Sequence, residues 1–260
     1  MKAPVSKQRW FFVDETGDPV FYDRQGNLIL GNEGVSGILG LGFLETDNPV
    51  AIRSEVSRLH AAIKTDAYLQ AIPSAIKTNR AFHAKDDAPE IRYLVYKMIA
   101  NLDIKTQFIV ARKIEKVFHN TFHSRENEFY DYLISLLFQN VLHRFSENHI
   151  YFSNRGNKSR QNQLEIAIQA GIDKFRLKWN KEVTSKIMIL PQTPVGEPCL
   201  QIIDYLNWAV YRAFTRGEMR YFEMIRDKVS LVVDLYDQKN YPDNWYTHKN
   251  PFDVKKISPL

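Results

Sequence analysis

Short apolar runs broken by turn residues mark the N-terminal part of the chain. Trp10-Phe11-Phe12-Val13 is bulky and stops at Asp14-Glu15-Thr16-Gly17-Asp18-Pro19, which predicts a buried strand ending in a turn. Val20-Phe21-Tyr22 and Leu28-Ile29-Leu30 flank Asp23-Arg24-Gln25-Gly26-Asn27 and read as a hairpin. Val35 to Leu44 is apolar and glycine-rich and predicts a third strand. Pro49 suits a first helical turn, and Val50, Val56, Leu59 and Ile63 carry the helix to about Lys64. The stretch 66–100 is less regular until Ile91 to Ile99, which looks helical. Lys105 to Ala111 reads as a strand, and Glu126 to Phe145 as an amphipathic helix through Phe129, Leu133, Leu136, Leu137 and Val141. His149 to Ser153 predicts a strand, Gln161 to Trp179 a helix, and Lys186 to Leu190 a strand closed by Pro191. Glu197 to Phe214 predicts a helix, with another from Glu218. Residues 238–260 are polar, contain Pro242, Pro251 and Pro259, and read as an irregular tail.

Three early strands followed by alternating helices and strands predict an α/β or α+β protein with a mixed sheet covered by helices. No repeat, low-complexity linker or domain boundary interrupts the 260 residues, so a single domain with helical additions is expected. Composition narrows this only a little. Hydrophobic residues at 44% and charged residues at 25% exclude wholesale disorder and collagen-like repeats. No stretch approaches a membrane span, and the start is too polar for a secretory signal, so a cytoplasmic protein is expected. The single Cys199 excludes an intramolecular disulfide and a cysteine-cluster zinc site, and is expected to pack. A net charge of +5 hints at a polyanionic partner.

The candidate chemistry lies in carboxylates. Asp14 sits where a buried strand runs out, as site residues of open α/β sheets do. Alternation sends Asp14 and Glu15 to opposite faces, and Asp14 is favoured; Asp-Glu-Thr-Gly is also ordinary turn chemistry. On the late helix, Leu200, Ile203, Leu206, Val210 and Phe214 share one face, with Glu197, Gln201, Asp204 and Trp208 in a stripe beside it. A mid-helix carboxylate among large apolar side chains requires a partner. That partner is a metal ion, or Gln201, Trp208 or a basic residue from elsewhere. Two such carboxylates suit metal-dependent phosphoryl transfer, in which hard oxygen ligands hold Mg²⁺ or Mn²⁺.

Phe12-Val13-Asp14-Glu15-Thr16-Gly17-Asp18 resembles the opening "DES-G" signature of domain-of-unknown-function family 3800. Leu200-Gln201-Ile202-Ile203-Asp204-Tyr205 resembles its late "LQ-x-x-D-Y" signature. The likeness runs from about Phe11 to Tyr236, and Trp208, Arg212, Glu218, Arg220 and Tyr221 resemble one of its bacterial subgroups. It implies an RNase H-like fold, nuclease activity, and a setting near mobile-element or phage-defence genes. By that likeness Asp14 and Asp204 bind the metal, with Glu15 and Glu197 as weaker catalytic candidates. Nucleases of this fold generally carry three or four acids. The middle strand here ends Phe152-Ser153-Asn154, without one; Glu165 is a conceivable substitute. A non-catalytic nucleic-acid or protein-binding module with an incomplete acidic site is the alternative. A phosphatase or other phosphoryl transfer on a small molecule is a third.

The loop Asn154 to Arg160 is basic, and Arg155, Lys158 and Arg160 are candidates for phosphate contact. Lys174, Arg176, Lys178 and Lys181 add charge beyond it. His83, in a polar segment, is a candidate for phosphate binding or proton transfer. His119 and His123 stand four apart but lack the glutamate of a zinc-protease motif and read as structural. P-loop, dinucleotide and aspartic-protease signatures are absent from the sequence. Trp245 and Tyr246 are expected to be exposed, where they would cover a partner chain or a second copy.

Overall fold

The computed structural model describes residues 7–154 and 160–260. Seven strands form one mixed sheet: β1 (Gln8–Gly17), β2 (Ile38–Thr46), β3 (Lys105–Arg112), β4 (Glu147–Ser153), β5 (Lys186–Gln192), β6 (Val229–Leu235) and β7 (Trp245–Tyr246). Their order is β5-β4-β1-β2-β3-β6-β7. β2 runs antiparallel to β1 and β3, and β7 antiparallel to β6. The pairs β1/β4, β4/β5 and β3/β6 are parallel. The carboxyl ends of β1, β3, β4, β5 and β6 therefore meet at one edge of the sheet.

The helices are α1 (Pro49–Thr65), α2 (Ala67–Gln70), α3 (Ala75–Thr78), α4 (Pro89–Ala100), α5 (Glu115–Phe122), α6 (Glu126–Phe138), α7 (Gln161–Trp179), α8 (Cys199–Arg216) and α9 (Arg220–Ile225). They cover both faces. Phe12, Leu44, Phe108 and Val110 point into one core with α1, α4, α8 and α9. Phe11, Val13, Leu41 and Ile109 point into the other with α5, α6 and α7. This double cover explains why β2 is buried at every position, where a half-exposed strand would alternate. No helix among the described residues is long and apolar enough to cross a membrane.

Several boundaries differ from the sequence reading. The predicted hairpin is reduced to a single bridge between Tyr22 and Leu28. α6 stops at Phe138, and Leu142–Arg144 forms a separate 3₁₀ turn. There the Leu142 carbonyl accepts from Asn148 Nδ2 and Ser185 Oγ. β5 continues through Pro191 because it lies at the sheet edge, where a missing N–H breaks no ladder. α5 and β6 occupy stretches to which the sequence reading assigns no element. In the C-terminal stretch Trp245 is exposed, but Tyr246 is buried against Phe252; the expectation of two exposed aromatics is corrected for Tyr246.

α8 positions the candidate site. It lies across β1 and β2, meeting β2 at Gly42. A Cβ on Gly42 would come within 2.5 Å of Asn207 Oδ1 and of the Phe108 ring, so only glycine admits the helix this close. At its start Glu197 Oε1 accepts from the Cys199 amide; at its end Gly217 takes the left-handed conformation that closes helices.

Candidate active site

At the carboxyl ends of β1, β3, β4 and β6 a cleft of about 1420 Å³ opens. Crevices at this end of parallel strands are where open α/β sheets bind ligands. Asp14 and Asp204 both line it. Alternation along β1 puts Asp14 on the side of Phe12, which is the side of α8. Asn207 Nδ2, one turn beyond Asp204, donates to the Asp14 carbonyl at 2.8 Å. The two acids are thus carried by elements bonded to each other at the site.

Asp204 is held from above by the segment 79–87. Three successive backbone amides there each donate to a side-chain oxygen. Phe82 N donates to Gln201 Oε1 (2.9 Å), His83 N to Asp87 Oδ2 (2.8 Å) and Ala84 N to Asp204 Oδ2 (2.7 Å). Asp87 also accepts from Thr78 Oγ1 and Tyr205 Oη, each at 2.5 Å. This arrangement turns the half-exposed His83 ring into the cleft. Its Nε2 lies 3.7 Å from Asp204 Oδ1, and its Nδ1 3.8 Å from Asp86 Oδ2. Desolvation pushes the Asp204 carboxyl up to about 6. His83 and the Ala84 amide pull the other way, while Asp87 and Asp86 add to the rise. Asp204 therefore takes its partners from the Ala84 amide and the His83 ring; Gln201 is engaged with Phe82, His60 and the Pro194 carbonyl.

The other predicted site residues are placed differently. Glu15 lines the cleft but lies on the α6 side of β1, where Tyr130 Oη donates to its Oε2 at 3.1 Å. Burial, then Glu15 and Asp14, raise the Tyr130 hydroxyl well above its ordinary value. Glu197 is buried in a bidentate pair with Arg53 (3.1 and 2.6 Å) and is not among the cleft-lining residues. Arg160 pairs with Asp131 at 2.8 Å and lies over the Tyr130 ring. Arg155 and Lys158 lie outside the described residues. Glu165 is exposed on α7 and accepts from Gln161. Ser153 and Asn154, at the end of β4, line the cleft without a carboxylate. Among the described residues no group of three or more His, Cys, Asp or Glu side chains is arranged to hold a metal ion. His119 bonds to Ser124 and His123 to Glu128, not to each other. Cys199 is buried, and desolvation pushes its thiol up, so it packs as expected.

The structure adds basic residues to which the sequence assigns no site role, Arg212 being noted only for its family likeness. Lys85, Arg112, Lys113, Arg212, Arg216 and Lys239 line the same cleft. Lys113 pairs with Asp18, and the buried Arg112 with Asp234 and Asp237. Arg112 also donates to the Ser258 and Pro259 carbonyls at 2.8 Å, fixing that segment as part of the cleft wall. The signal for Arg212 and Arg216 was in the sequence, two and three turns beyond Asp204 on the same helix. Comparison with protein-family models and with curated proteins finds no match for this chain.

Proposed function

We propose that this chain is a metal-dependent nuclease of RNase H-like fold that hydrolyses phosphodiester bonds in DNA or RNA. The observation that carries the reading is the pair Asp14 and Asp204. Both line one cleft at the carboxyl edge of the sheet, on elements joined by the Asn207 hydrogen bond. The antiparallel run β3-β2-β1, continued by parallel β4 and β5, is consistent with an RNase H-like core.

The donor set fits one kind of metal site and not another. Mg²⁺ commonly takes one or two carboxylates and completes its shell with water and substrate phosphate. Asp14 and Asp204 would hold such an ion, or Mn²⁺. They do not supply the three or four acids of a two-metal site. When bound, the ion offsets charge on the phosphate and lowers the pKa of attacking water. The chain's own residues do the rest. The Ala84 amide and Asn207 fix the two acids, and Lys85, Arg216 and Lys239, which line the cleft outside the ion pairs of the described residues, neutralise backbone phosphates.

The test is a cleavage assay with purified protein on single- and double-stranded DNA and RNA, with and without Mn²⁺. Cleavage that needs Mn²⁺ and falls at least ~100-fold in both Asp14→Asn and Asp204→Asn is expected, the scale of losing electrostatic stabilisation at a reacting phosphate. Unchanged cleavage by both variants overturns the reading. Ser153-Asn154 in place of an acid, with no three-residue ligand group among the described residues, favours one other reading. In it the chain is a nucleic-acid or protein-binding module without catalysis. Nucleic-acid binding without cleavage under any metal would favour it.

A further inference from the structure

From Asp204 to Arg216, α8 is buried at every position except six: Asp204, Trp208, Tyr211, Arg212, Thr215 and Arg216. All six line the cleft. Their spacing follows the helical repeat, so they form one continuous stripe about 18 Å long, at ~1.5 Å per residue. After Asp204 the stripe contains no acid. It offers two aromatic rings, two guanidinium groups and a hydroxyl. Trp208 and Tyr211 pack in part against the core beneath α8 and line the cleft with the remainder of their surface.

The stripe is stiff where it begins and open where it ends. The Trp208 ring carries the Arg92 guanidinium at 4.9 Å and that of Arg212 at 5.4 Å, with Tyr221 against it at 4.7 Å. Arg212 is held in turn by Glu218. Arg216 is exposed and makes no ion pair among the described residues. A planar guanidinium fixed over an indole presents a flat face, and unpaired bases stack on such faces and on tyrosine rings. Duplex DNA keeps its bases stacked inward and would use only the charges.

We infer that this face of α8 is a track for single-stranded nucleic acid leading from the acid pair. Bases stack on Tyr211 and on the Trp208–Arg212 layer, and phosphates meet Arg212 and Arg216. The inference rests on reading the cleft as a nucleic-acid site and goes further by naming the strand state.

The experiment measures binding without catalysis. Fluorescence anisotropy of the full chain in EDTA is recorded for one labelled oligonucleotide, single-stranded and as a duplex, over a salt series. Single strands are expected to bind at least ~10-fold more tightly than duplex. Tyr211→Ala should weaken single-strand binding ~10-fold or more and leave duplex binding unchanged, with Tyr211→Phe restoring it, as for a stacking contact. Arg216→Ala should lower the salt dependence by about one phosphate contact. Thermal melts identify variants that fail to fold; Tyr211→Leu and Arg216→Gln, which keep bulk but remove the ring and the charge, then carry the comparison with the same expected losses. Equal affinity for strand and duplex, or full single-strand affinity in folded Tyr211→Ala, overturns the track. Tight single-strand binding without cleavage under any metal supports the track while defeating the nuclease reading. Metal-dependent cleavage confined to duplex does the reverse.

Discussion

Asn207 donates its side-chain amide to the backbone carbonyl of Asp14 at 2.8 Å, and its Oδ1 lies directly over Gly42. One side chain therefore registers α8 against β1 while using the space that glycine leaves on β2. The spacing of Asp14 and Asp204 depends on both residues, although neither is an acid.

Asn207→Leu removes the donor and should lower the unfolding free energy by about 1 kcal/mol, the net worth of one hydrogen bond. Gly42→Ala should cost ~1–3 kcal/mol, because its Cβ meets Asn207 and the buried Phe108 ring. Urea unfolding measures both. As contacting sites, they should combine non-additively, and strict additivity would argue that α8 does not seat through this pair.

Asp204 makes stability depend on pH. Its carboxyl is raised from 3.8 to about 6 in the folded chain, so between those values the folded state binds the extra proton. Stability from this group is complete below about pH 4 and is lost as pH rises through about 6. The loss is on the order of 3 kcal/mol, from ~1.4 kcal/mol for each pKa unit. Asp204→Asn, which keeps an oxygen for the Ala84 amide, should lack this slope and be more stable than the parent at pH 7.5. Urea melts of both proteins at pH 4 and 7.5 decide it; parallel pH dependence would contradict the assigned shift.

Asp87 accepts from Thr78, Tyr205 and the His83 amide, and this buried knot holds the segment that delivers His83 and Ala84 to the cleft. Asp87→Ala should cost about 3 kcal/mol, since it leaves two hydroxyls and an amide without their acceptor. Tyr205→Phe removes one bond and should cost about 1–2 kcal/mol. Hydrogen exchange at the amides of Phe82, His83 and Ala84 should accelerate in Asp87→Ala. Unaltered protection there would show that the segment is held by other contacts.

What the sequence disclosed follows from which contacts are local. β1 up to Val13 and most of α8 are readable because burial writes itself into a short apolar run and a 3.6-residue repeat; where a turn from Asp14 is expected, β1 instead runs on to Gly17, paired with β2. α7 has the predicted bounds for the same reason. Val229–Leu235 was not assigned because a short apolar run after a helix carries no period of its own to mark it as a strand. The acids Asp14 and Asp204 could be named singly, but their placement on one cleft depends on sheet order and on Gly42. His83 was visible only as a histidine in a polar stretch. Its place beside Asp204 comes from three consecutive amides finding acceptors on α8 and at Asp87, a pattern without sequence periodicity. The side-chain partner of Glu197 is Arg53, 144 positions earlier, which no local reading supplies.

Arg112 grips residues 258 and 259 by their main-chain carbonyls, not by their side chains. Every amino acid offers that carbonyl. Position 259 can therefore accept wide substitution among relatives while keeping its place, provided Arg112, Asp234 and Asp237 persist, whereas Ser258 is held by its side chain as well, its hydroxyl donating to Asp237 Oδ1 at 2.7 Å. Variation along the C-terminal stretch is no sign that it stands apart from the site, and an aligned family would reveal the wall through the residues that hold it.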